Sequence, residues 1–145
     1  MTRTSASLAE LVVALNDGIA FYERAAAKVT DPEYVALFER MARLKRAIAG
    51  DLNVEISLEG LPPHEDTSIV GALRIFHAEV LGGLTDQNAA TYVARLEEHE
   101  DRLLAAFREA VLGSASPKAR ELALHYYPEI EQMHAQMSRL KKQLA

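Results

Sequence analysis

"AAAKVTDPEYVALF", residues 25–38, places the end of one helix and the start of the next almost back to back. Asp31 suits an N-cap, where a side-chain oxygen accepts an orphan backbone N–H. Pro32 suits the first helical position, which needs no N–H, and Glu33 adds negative charge to the first turn. On both sides apolar residues recur every three or four positions, the period of a helix buried along one face. Leu8, Val12, Leu15, Ile19, Tyr22, Ala26 and Val29 make the seam before the junction, and Tyr34, Leu37, Met41, Leu44 and Ile48 the seam after it. So short a connection predicts an antiparallel helical hairpin.

The same spacing continues outward. "EGLPPHEDTS", residues 59–68, reads as a loop, after which Asp66 or Thr67 can cap a helix carrying Val70, Leu73, Phe76, His77, Val80 and Leu84 toward one side. "GGLTD" at 82–86 interrupts it and starts another, with Val93, Leu96, Glu100, Leu103, Phe107 and Ala110 in line. "GSASP" closes that one; Ser116 caps and Pro117 opens the last helix, whose seam is Tyr126, Ile130, Met133, Met137, Leu140 and Leu144. Pro128 falls inside this helix, removing a backbone bond and crowding the carbonyl of Leu124, which predicts a bend. The reading is five helices, at 6–29, 32–57, 67–83, 86–112 and 117–144, in a single domain over 1–145. At 1.5 Å per residue the third spans about 25 Å, enough to return along a bundle. The four long helices then form two hairpins joined by a helical crossover, the connectivity of ferritin-like folds. A five-helix up-and-down bundle is the competing topology.

Composition narrows the function classes. Apolar residues are 49% and charged residues 26%, an ordinary globular mixture, and the net charge of −5 argues against a nucleic-acid partner. With no cysteine there is no disulfide, thiolate nucleophile or Cys-zinc site. The apolar run near the start, "LVVAL", is too short for a signal peptide, and no segment approaches a membrane span. A cytoplasmic protein without membrane association is expected. There is no Gly-rich phosphate loop, nucleophile elbow or Ser-His-Asp order.

What chemistry remains rests on inward-facing polar residues. Glu131-x-x-His134 has the spacing of half a carboxylate-bridged metal site. At 100° per residue, however, Glu131 lies about 140° from the centre of its helix's seam and His134 about 80°. Glu129 is nearer, at about 60°, and Glu23 lies about 65° off the first seam. Glu100 is different, within about 20° of its seam's centre, where a carboxylate is costly unless paired, hydrogen-bonded or metal-bound. Glu55 is similarly central near the end of the second helix, and His77 lies on the crossover's inner face. Two readings of Glu100 compete. One is a buried ion pair with Lys45, helped by Asn16 or Tyr126. The other is a metal site drawn from Glu100, Glu23, Glu129, His134 and His77. His64, His99 and His125 read as surface or packing residues, and Met41, Met133 and Met137 as core.

The stretches "LNDGIAFYERAAAKVTDPEYVALFERMARLKRAIAGDL" (15–52), "EHEDRLLAAFREAV" (98–111) and "YYPEIEQMHAQMSRLKKQ" (126–143) together resemble a bacterial family of small ferritin-like proteins of unknown function. The resemblance implies a four-helix bundle with a helical crossover. Across the wider ferritin-like superfamily it implies a di-iron or di-manganese centre built from two Glu-x-x-His pairs and two further glutamates. Only Glu131-x-x-His134 spells such a pair here. On the second helix the nearest frame, Glu39-Arg40-Met41-Ala42, has no histidine. The expectation is therefore a binding or structural module without catalysis. It is expected to self-associate through apolar residues such as Leu11, Leu104 and Val111 left over at the seam flanks. The alternative is a metalloprotein with a degenerate iron or manganese site, serving storage or stress-related redox chemistry.

Overall fold

The structure, a computed structural model, describes residues 3–58, 89–113 and 116–144. Four helices fill them: α1 (Arg3–Lys28), α2 (Pro32–Leu58), α3 (Ala89–Gly113) and α4 (Pro117–Leu144). There is no strand among the described residues, and no described helix is long and apolar enough to cross a membrane. The loop at 59–68, the helix expected at 67–83, His64 and His77 lie outside the described residues.

The expected start signals are in place. Asp31 Oδ1 accepts the Glu33 N–H at 2.9 Å while the Asp31 carbonyl accepts from Val35 at 3.0 Å, so the cap and the first helical bond come from one residue. Ser116 Oγ accepts the Ala119 N–H at 3.3 Å and starts α4 in the same way. α4 runs unbroken through Pro128.

α1 packs on α2 and α3 on α4, and the two hairpins close on each other chiefly through α1 against α3. Side-chain pairs fix the directions. Arg40 with Gln136, Asp51 with Tyr126 and Glu55 with Lys118 run α2 antiparallel to α4. Glu97 with Lys141 and Arg108 with Tyr127 run α4 antiparallel to α3. α2 and α3 therefore point the same way, and Leu58 and Ala89 lie at opposite ends of the bundle. Between the helices lies a continuous core that includes Leu15, Tyr22, Phe38, Met41, Leu96, Leu103, Phe107, Ile130 and Met133.

The buried stripes of α3 and α4 follow the expected seams. Those of the first hairpin are rotated. On α2 the buried residues are Phe38, Met41, Ala42, Lys45, Ile48, Ala49, Leu52 and Ile56, while Leu44, expected inside, is exposed. On α1 Asp17, Phe21 and Ala25 are buried, with Ile19 and Ala26 at the stripe's edge. Leu11, expected to remain for a partner, is in the core.

Candidate functional site

Rotation of α2 carries a lysine into the centre of the bundle. Lys45 and Glu100 are both fully buried, and the Lys45 ammonium donates to Glu100 Oε2 at 2.7 Å. Tyr22 of α1 donates its hydroxyl to the same carboxylate oxygen. Lys45 Nζ also lies 4.6 Å from the centre of the Tyr22 ring and 3.4 Å from Met133 Sδ on α4. Each of the four helices thus gives one side chain to a single ammonium–carboxylate centre. The ring face and the thioether, both electron-rich, complete the surroundings of a cation removed from water.

Beside it sits His99, buried and packed edge-on against Phe21 at 5.5 Å between ring centres. Among the described residues its Nε2 has no hydrogen-bond partner, and neither does Glu100 Oε1. Gly18 makes this crowding sterically feasible: a Cβ there would overlap His99 Nε2 and come within 2.9 Å of Lys45 Cδ and Cε. The electrostatics follow from burial. Loss of hydration lowers the Lys45 pKa, opposed by the Glu100 charge and hydrogen bond. Burial pushes the His99 pKa well below its ordinary value, and the positive charges of Lys45 and Arg102 push it the same way. Burial and the neighbouring Glu100 raise Tyr22 well above 10. The tyrosine therefore stays a donor and the histidine stays neutral.

The other residues singled out in the sequence are placed separately. Glu23 is exposed and paired with Arg46. Glu129 and Glu131 are exposed. His134 is half-buried at the edge of α4, against Asp101 and Glu97 of α3. Glu55 pairs with Lys118 at 3.2 Å. Tyr126, a proposed helper of Glu100, donates instead to Asp51, and burial together with that carboxylate pushes its pKa up to about 12. Asn16 is half-buried on α1, six residues before Tyr22. Among the described residues one group of three potential ligands converges, Glu97, Asp101 and His134, with donor atoms all within 4.8 Å of one another.

The sequence reading passed over Tyr22, Gly18 and His99 as site residues. Gly18 carried a usable signal, because glycine inside a helix is unfavourable unless something approaches its backbone closely.

Helix content, directions and a core holding a buried polar centre define an all-α protein with four helices among the described residues. The chain belongs to a family described as a domain of unknown function, DUF2383, whose model matches residues 3–112. Its fold is similar to that in the crystal structure of a conserved hypothetical protein, rv2844, from Mycobacterium tuberculosis. The TM-score is 0.71 at 18% identity, covering 95% of this chain and 96% of that one. No curated protein matches the chain.

Proposed function

We propose that this is a ferritin-like bundle that serves as a non-catalytic binding or structural module, with its interior closed by a lysine rather than organised around a metal centre. The ferritin-like reading is supported by helix direction. α1 and α4 run opposite to α2 and α3, and a chain leaving α2 at one end must enter α3 at the other, as in bundles with one long crossover. The observation that carries the functional reading is the 2.7 Å contact between Lys45 and Glu100. A carboxylate at the axis of such a bundle needs a cation, and Lys45 supplies it from within the chain. A metal ligated by Glu100 would have to displace an ammonium that is itself fully buried. The hollow between α1 and α2, lined by Glu23, Ala26, Ala42, Arg43 and Arg46 among others, includes none of Tyr22, Lys45, His99 or Glu100. The buried pair acts on the fold, setting helix register across the bundle.

Self-association is part of the proposal. Val54, Leu58, Leu112 and Leu124 are exposed apolar residues in one end third of the bundle, which favours a second copy as partner.

Elemental analysis of protein made without a His-tag or chelator tests the interior. Any iron or manganese should be retained by Glu100→Gln, since this carboxylate binds none. Near-stoichiometric metal lost on Glu100→Gln, but kept on His134→Ala, contradicts the proposal and restores the metalloprotein reading.

A further inference from the structure

Glu97 and Asp101 stand one turn apart on α3, so their carboxylates leave the same face of the helix. His134 comes toward them from α4, with Nε2 in contact with Asp101 Oδ1 and 3.8 Å from Glu97 Oε2. We infer that Glu97, Asp101 and His134 form a mononuclear site for a first-row divalent transition metal on the α3–α4 seam, separate from the Lys45–Glu100 centre.

Two carboxylate oxygens and one imidazole nitrogen suit zinc, manganese or ferrous iron. Metal–ligand distances of about 2.0–2.2 Å place neighbouring donors roughly 3–4 Å apart, so the present separations need only small side-chain rotations. The two oxygens of Glu97 are already differentiated. Oε1 accepts from Lys141 at 3.3 Å, which leaves Oε2 turned toward the histidine. Lys141 is thus an outer group that orients a ligand. Exposure is graded across the site, from a Glu97 side chain at 10% through His134 at 25% to Asp101 at 58%. The anchoring carboxylate is held in the protein, while the outer edge lets an ion enter and keep water ligands.

This inference uses none of Tyr22, Lys45 or Glu100, so it stands or falls apart from the proposal above. Titration calorimetry on tag-free, chelator-stripped protein tests it with zinc, manganese and magnesium in turn. One zinc ion per chain is expected, with manganese weaker and magnesium weakest. His134→Ala and Asp101→Asn should each weaken zinc by about tenfold or more, and His125→Ala should leave it unchanged. Cobalt substitution should give a visible absorption band that His134→Ala abolishes while the helical circular dichroism is preserved. Absence of saturable binding at one ion per chain would overturn the inference. So would an affinity and cobalt spectrum indifferent to both substitutions, the mark of adventitious surface binding.

Discussion

Gly18 lies inside α1, where glycine costs about 1 kcal/mol relative to alanine, yet its bare Cα is what lets His99 and Lys45 pack against the helix. Gly18→Ala, a gain in intrinsic propensity, is therefore expected to destabilise the protein by about 1–3 kcal/mol through overpacking. Urea denaturation measures this, and an unchanged or raised midpoint would contradict the close approach. His99 makes a second prediction. Its folded pKa lies well below the 6.5 of an ordinary histidine, so on acidification the unfolded chain takes up this proton first. Stability from His99 is complete above about pH 6.5 and declines as the pH falls toward the folded value. Comparing denaturation midpoints of wild type and His99→Gln between about pH 7.5 and 5 should show the wild type losing more. Parallel curves would show that His99 is not held neutral in the folded protein.

At the level of elements, the junction at residues 29–31 determines the hairpin. The Asp31 cap satisfies an orphan N–H that a methyl side chain in its place would leave to water, so Asp31→Ala should cost about 1 kcal/mol in thermal or urea unfolding. A neutral result would mean that packing alone sets the start of α2. This junction was legible because capping is local chemistry, written in adjacent residues. The inward set of α3 was legible too, because Val93, Leu96, Leu103 and Phe107 frame Glu100 so tightly that only one rotation buries them all. α2 was harder. Counting apolar residues weighted Leu37 and Leu44, whereas the true stripe is centred on Ala42, Lys45 and Ala49. Two alanines and a lysine add little to a hydrophobic pattern, although the Lys45 stem is what packs closely against Gly18 of α1. The Lys45–Glu100 pairing was recoverable by matching levels along the bundle. The participation of Tyr22 was not, because the relative sliding of α1 and α3 is a tertiary quantity.

At the scale of the molecule, the two hairpins meet around a fully buried ion pair, and this arrangement has opposite consequences for intact and broken pairs. Removing one partner strands a buried charge, which typically costs about 3–5 kcal/mol, whereas replacing both with apolar side chains of similar volume is often neutral or stabilising by about 1–4 kcal/mol. The pair is thus a device for matching α2 to α3 across the bundle more than a source of net stability. The most direct measurement is a double-mutant cycle by chemical denaturation with Lys45→Met, Glu100→Leu and the double variant. Each single variant should be strongly destabilised and the double variant close to wild type, with a coupling of about 2 kcal/mol or more. Single effects that simply add, within about 0.5 kcal/mol, would mean that Lys45 is not the cation that holds Glu100 in the core.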